Sequence, residues 1–431
     1  MVKKQFLKNV LPSMLAFAFS GVYAIVDGWF VGRNIGDAGL AAINIAYPLT
    51  ALIQAIGTGI GMGGAIQIAI CLGRGDEDEN KYLGNTIFIL LVACIISTII
   101  LGLTSQSILR IFGAEGEILN HAISYIKIII YGATFQIIGT GLIPIIRNYN
   151  GSLVAMSSMI AGFLTNVVLD WLFVSVYSYG LLGAAIATVI GQMVTLLPCI
   201  LFLTIKKKLF GFAIFKPMPY FFKKIIEVAV SPFGLTLSPN IVIIILNKGA
   251  LSYGGAQAAA CYAVVSYIIC IIQLLLQGIG DGCQPLIGNY YGANNLKSVN
   301  EVRKMAYITA FTTSIVCMIV IYLLKDKIPN FFGVSDIVAQ SISSVLPIFI
   351  SGFLFIAFLR ITTSFFYAVR KNLLAYILIY GEPLLLTALV ALILPNILGL
   401  NGVWISVPLT QACLAVVGFI LLKKYARLDT L

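Results

Sequence analysis

Histidine occurs once in this 431-residue chain, at His121, and only 10% of the residues are Asp, Glu, Lys or Arg. A lone imidazole at a loop-to-helix junction leaves almost no material for histidine-based acid–base chemistry. So few charges cannot cover a soluble domain, which ordinarily carries about 25% of them. HExxH, Cys-x-x-Cys and GxxxxGK(S/T) are all missing, so zinc-protease, thiol–metal and ATP-coupled chemistry lack their motifs. The eight cysteines are scattered singly, mostly in apolar blocks (Cys94, Cys199, Cys270, Cys317), where a thiol acts as a small apolar side chain. The 27 basic residues outnumber the 16 acidic ones, giving a net charge of +11. They form no stripe interleaved with aromatics, so no nucleic-acid partner is expected.

What the chain does have is apolar length. Hydrophobic residues make up 60% of it and the mean hydropathy is +1.02. They come in blocks of about 20, the length that crosses a bilayer core about 30 Å thick. Twelve such segments can be marked, from Val10–Val31 to Val403–Leu422. The first follows Lys3 and Lys4 but runs too far for a cleaved leader, so it reads as a membrane helix. Lysine and arginine fall in alternate loops: Lys3, Lys4 and Lys8, then Lys206–Lys208, Lys216, Lys223 and Lys224, then Lys297, Arg303, Lys304, Arg370 and Lys371, then Lys423, Lys424 and Arg427. The positive-inside rule places both termini in the cytoplasm of a multi-pass plasma-membrane protein. The acidic run Asp76–Glu79 lies on the same side and reads as a solvated loop.

The two halves of the chain resemble each other. Ser107–Leu119 matches Lys327–Ala339, Tyr179–Thr188 matches Leu398–Val407, and Gly59–Gly73 matches Gly278–Gly292, each pair about 220 residues apart. The expected organisation is a six-helix lobe over 1–205, a basic cytoplasmic linker over 206–224 and a second six-helix lobe over 225–431. An even number of spans per copy makes this a parallel repeat about an axis normal to the membrane, an arrangement suited to rocking between inward- and outward-open states. The fold class is therefore an all-α membrane protein of twelve transmembrane helices in two six-helix lobes related by a parallel repeat.

Three stretches carry a resemblance to a known family: Val26–Pro48 (VDGWFVGRNIGDAGLAAINIAYP), Thr165–Val174 (TNVVLDWLFV) leading into Gly180–Thr188, and Gln284–Ala293 (QPLIGNYYGA). Together they resemble the multidrug and toxic compound extrusion (MATE) transporters over nearly the whole chain. The resemblance implies two lobes in a V, and export of amphipathic, often cationic, compounds against an inward gradient of protons or sodium.

A charge at bilayer depth costs roughly 2.5 kcal/mol or more, which makes each one a functional candidate. Asp27 sits about two turns before the outer end of the first helix. Asp170 sits at a similar height in the fifth segment, at i, i+4 from Asn166 and on the same face. Thr188 enters the sixth at comparable depth. These four are expected to meet in one outer pocket, and in relatives with an acid in the first helix the resemblance places it beside the same Asn–Asp pair and Thr. Two nearby carboxylates in a low-dielectric site can take up and release a proton. With Asn and Thr oxygens they can instead hold sodium, a hard cation. A purely structural role, bonding helix to helix, is the competing reading.

The second lobe offers Arg360 and Glu382, both about ten residues from the cytoplasmic Arg370 and Lys371, hence roughly 15 Å deep at 1.5 Å per residue. They are expected to form a buried ion pair, since either charge alone is expensive. Asp281 is read as lying near a segment end, and Arg147 and Arg370 as matching positions of the two halves.

The functional expectation is a secondary-active exporter of small organic compounds, acting as a monomer among membrane lipids. It needs no cofactor beyond its coupling ion, H+ or Na+. The alternative within transport is a flippase for a lipid-linked glycan or cell-wall precursor, which would need several deep Arg or Lys for pyrophosphate. No enzymatic activity is expected.

Overall fold

In lipid, backbone N–H and C=O groups have no water to turn to, so hydrogen bonds must close within helices. The computed structural model describes residues 2–35, 37–209, 216–332 and 334–425, with the side chains of 23–25, 27–29, 32, 37, 38, 40, 331, 391 and 392 excepted. Every regular element among the described residues is helical. In order they are α1 (Val2–Ile35), α2 (Asp37–Arg74), α3 (Glu79–Ile111), α4 (Gly116–Tyr131), α5 (Ala133–Asn148), α6 (Ser152–Asp170), α7 (Gly180–Ile205), α8 (Pro219–Gly292), α9 (Leu296–Leu324), α10 (Ile328–Phe332), α11 (Asp336–Ile350), α12 (Phe353–Ala368), α13 (Asn372–Ala388), α14 (Leu394–Leu398) and α15 (Leu400–Tyr425). π-helical turns extend α6 over Trp171–Val176 and α13 over Leu389–Ile393.

These elements make twelve membrane crossings. Seven helices are long and apolar enough by themselves, and the bent pairs α4–α5 (56°) and α11–α12 (46°) each act as one more. α8 is 74 residues long and turns at Gly255, whose φ of 66° and ψ of −163° only glycine adopts without strain, so it crosses twice. α1, with 34 residues, and α13 with its π extension complete the set.

The second half repeats the first in its backbone breaks as well as its residues. Positive φ recurs at Gly75 and Asn294 (71° and 56°), at Asn150 and Arg370 (63° and 61°), and at Gly180 and Gly399 (60° and 56°). The bonds that close the helices recur too: Gly151 N–H to Ile146 O at 2.9 Å is matched by Lys371 N–H to Phe366 O at 2.8 Å. Both are the long closing bond of a helix ending in a left-handed residue. This register corrects one sequence match. Arg370 is the counterpart of Asn150, and Arg147 aligns with Tyr367, so the two arginines share no position.

The chain divides into two compact units, Leu11–Leu237 and Met1–Val10 with Ser238–Leu431. The boundary therefore falls inside α8 rather than in the basic loop over 206–224. The start of α8 is held by the first unit: Gln67 donates to Lys224 O at 3.0 Å, Asn85 accepts from Met218 N–H at 2.9 Å, and the Tyr82 and Phe221 rings meet edge to face at 4.7 Å. The first turns of α1 go with the second unit, where Tyr290 bonds to Gln5. The acidic run is also more engaged than a solvated loop, since Glu79 pairs with Lys208 at 2.5 Å.

Small residues set how closely helices approach. A Cβ on Gly61 of α2 would lie 2.1 Å from the Gly141 carbonyl oxygen of α5, and one on Gly57 would lie 2.5 Å from Ile137 O. The Gly57–Gly61 spacing is the small-xxx-small pattern of membrane helix packing. In the second unit the rings of Tyr262, Phe349 and Trp404 join α8, α11 and α15, with centroids 6.0 to 6.1 Å apart.

Candidate functional site

Among the described residues, four charged side chains are buried: Arg147, Asp170, Asp281 and Arg360. Asp170 is 1% exposed and Asn166, one turn earlier on α6, is 2% exposed. The i, i+4 spacing puts both on the face that packs against α7. That packing is close because it is built from small residues. A Cβ on Gly162 would lie 1.9 Å from Thr195 Oγ1, and one on Gly191 would lie 3.0 Å from the Asn166 Cβ. The Asn166 amide reaches Thr188 Oγ1 at 3.4 Å, and the Thr188 hydroxyl donates to Ala184 O at 3.0 Å. Directly after Asp170 the helix widens into the π turn Trp171–Val176, a feature common at functional sites.

The structure thus brings Asn166, Asp170 and Thr188 to one α6–α7 face. Asp27 lies on the α1 backbone, and its side chain lies outside the described residues. The matching positions of the other lobe are Leu385, Leu389 and Val407 in the repeat register, so this polar patch has no counterpart there. Its hydroxyl–amide bond is long, and interhelical hydrogen bonds in membranes average about 0.6 kcal/mol. Thr188→Val is accordingly expected to destabilise the protein by only about 0.6 kcal/mol. The thermal midpoint in detergent checks this, and a variant that fails to fold would mean that Thr188 does more than orient Asn166.

Arg360 and Glu382 are both inside their helices' packing, but the expected direct pair is not formed. Arg360, 6% exposed, donates through Nη2 to Gln273 Oε1 at 3.0 Å. Glu382 accepts from Gln411 Nε2. The two charges lie within Coulombic reach of each other, yet no ion pair within 4.0 Å joins them among the described residues. The reason is that each has taken a neutral amide from a neighbouring helix instead.

Asp281 is not at a segment end. It is 3% exposed in the body of α8, and the Tyr367 hydroxyl lies 3.3 Å from its Oδ1 and 3.1 Å from Ser364 Oγ. Arg147 is buried as well, its guanidinium 5.7 Å from the Phe17 ring centre. Sequence reasoning missed Gln273 and Gln411 because a glutamine carries no charge to mark it. A signal was present, since Gln54 and Gln192 stand at the same two places of the first half, 219 residues earlier.

The model of the MatE family matches residues 12–172 and 230–393, one block in each half and most of the chain. The chain belongs to the MatE family. Among relatives, a multidrug export protein MepA from Staphylococcus saprophyticus is 23% identical over 365 residues, covering 82% of this chain and 80% of that protein. A MepA from Staphylococcus haemolyticus is 25% identical over 363 residues, with the same coverage. Two solved structures share the fold at 24% identity, each covering 98% of this chain and 95% of the other. One is an outward-facing multidrug resistance MATE family transporter of the MOP superfamily, with a TM-score of 0.90. The other is a MOP superfamily transporter from Pyrococcus furiosus, described as having a binding pocket of reverse polarity that suggests a different function, with a TM-score of 0.92. This MATE family member is therefore an integral membrane protein of a multidrug efflux transporter family. Its relatives are transporters of small molecules, which points away from an enzyme.

Proposed function

We propose that this MATE protein is a secondary-active exporter of amphipathic, cationic small organic compounds, working by alternating access in the plasma membrane with both termini in the cytoplasm. Inward movement of H+ or Na+ drives it. The observation that carries the reading is Asp170, a carboxylate at 1% exposure on the same face as Asn166, whose amide reaches Thr188. A carboxylate buried this deeply is costly when ionised, so binding a proton or a sodium ion lowers that cost and shifts the balance between conformations. Asp27 of α1 is assigned to the same coupling site. A lipid-linked precursor flippase would call for several deep basic side chains, whereas among the described residues only Arg147 and Arg360 are buried basic ones.

The test is transport by the purified protein in liposomes, using a fluorescent organic cation and separate proton and sodium gradients. A tenfold gradient stores about 1.4 kcal/mol, so one-for-one exchange drives the dye toward roughly a tenfold gradient of its own. One of the two ions is expected to do this. Dye movement indifferent to both gradients would sink the coupled-exporter reading.

A further inference from the structure

Arg360 is the one buried cation of the second unit among the described residues, and its bonding is incomplete. Its Nη2 donates to the neutral amide oxygen of Gln273, while Nη1 is buried and meets no acceptor. Buried charged donors are ordinarily satisfied, and an unmet one is destabilising by more than an unmet neutral group. The geometry follows from the helices. A Cβ on Gly280 of α8 would lie 3.9 Å from Arg360 O, so the two backbones are level there. Long side chains on a helix lean toward its N-terminus, which carries the guanidinium along α8 to Gln273, seven residues earlier. Glu382 on α13 lies within Coulombic reach but is held by Gln411 of α15. Two amides thus keep opposite charges apart. An acceptor sits on the cation and a donor sits on the anion.

The repeat shows that the fold does not require these charges. The first lobe has glutamine at both matching places, Gln54 and Gln192, but Thr140 where Arg360 stands. The place of Glu382 falls there at Gly162 or Phe163. A lobe of this architecture therefore forms without the charged pair, and the pair is an addition to it. Asp281 also lies within reach of Arg360, but it is engaged with Tyr367 deeper along α8.

We propose that the separated pair binds a zwitterionic organic substrate. The substrate's carboxylate bonds to the free Nη1 of Arg360, and its cationic end faces Glu382. A ligand with only a positive charge leaves Nη1 unmet, and one with only a negative charge faces Glu382 and Asp281 unscreened. A zwitterion answers both and adds no net charge to a low-dielectric site. This rests on the exporter reading and narrows it: among amphipathic organic cations, those that also carry a carboxylate are bound best.

The test uses tetramethylrhodamine, whose free acid is a zwitterion, and its methyl ester, a cation of nearly the same shape. Binding of each to the purified protein is followed by fluorescence anisotropy, and the readout is the ratio of the two affinities. The wild-type protein is expected to favour the acid. Arg360→Met is expected to lower the acid-to-ester ratio about tenfold or more, equivalent to about 1.4 kcal/mol. Gln273→Glu keeps the arginine and gives it a permanent carboxylate partner, so the ratio is expected to fall in the same way even if Arg360→Met fails to fold. A wild-type preference for the ester, or a ratio unmoved in the variants, overturns the proposal while leaving the exporter intact. Failure of the wild-type protein to bind either dye counts against the exporter reading and the inference together.

Discussion

Asp170→Asn is expected to abolish gradient-driven transport, collapsing a roughly tenfold dye gradient to none. Asparagine has nearly the shape of aspartate, so the α6–α7 face keeps its packing. It cannot ionise, so it neither releases a proton nor offers the negative oxygen that a hard cation requires. Of the described members of the site, Asn166 and Thr188 supply only neutral dipoles, and neither can take over. The substitution also removes a carboxylate buried to 1% exposure. The thermal midpoint is therefore expected to hold or rise even as coupling is lost, since buried ions are weak contributors to stability. Activity and stability moving in opposite directions separates a coupling residue from a merely structural one. Dye efflux under proton and sodium gradients, with thermal unfolding in the same detergent, makes the measurement. Retained gradient-driven efflux by both Asp170→Asn and Asp27→Asn would remove the coupling assignment.

The largest loss of stability is expected at Gly61→Val. A Cβ there would sit 2.1 Å from Gly141 O and 2.4 Å from Gly141 Cα. Both are backbone atoms, which cannot swing aside as a side-chain tip can. The helices α2 and α5 must then separate, and the Gly57 contact one turn away opens with them. Overpacking costs about 1–3 kcal/mol where side chains can yield, and this site lies at or above about 3 kcal/mol because they cannot. Association of membrane helices rests on such close contact rather than on exclusion of water. The check is monodispersity and thermal midpoint in detergent beside Gly102→Ala, where nothing lies within 4 Å of an added Cβ. The alanine is expected to stay within about 1 kcal/mol of the parent. A Gly61→Val protein as stable as Gly102→Ala would contradict the packing described.

Much of this was legible because charge is scarce. In a chain with 10% charged residues, Asp170 stands out, and its i, i+4 relation to Asn166 needs only helix geometry. The repeat was legible from three pairs of segments, but the match of Arg147 with Arg370 followed residue type instead of backbone. The left-handed turns at Asn150 and Arg370 place it three residues away. Asp281 falls among Gly278, Gly280 and Gly282, where the apolar run stops, whereas in the structure α8 continues to Gly292 and Gly280 lets Ser364 of α12 come close. The amide partners of Arg360 and Glu382 lie 87 and 29 residues away in the chain, and no local pattern announces such pairs. The boundary inside α8 was hidden for a similar reason. It depends on what Gln67 and Asn85 hold, and the composition of the basic loop says nothing of that.

The wide turn at Trp171–Val176 has a mechanical consequence. A π turn is an α-helix carrying one residue more than its pitch can hold. If that surplus moves along the helix by a single residue, one hydrogen bond is exchanged for another and the displaced residue turns by about 100° about the axis. A helix with such a dislocation can re-aim one side chain without unwinding. The dislocation in α6 begins at the residue after Asp170, and the one in α13 begins after Ala388, where the other lobe has nothing to re-aim but leucine.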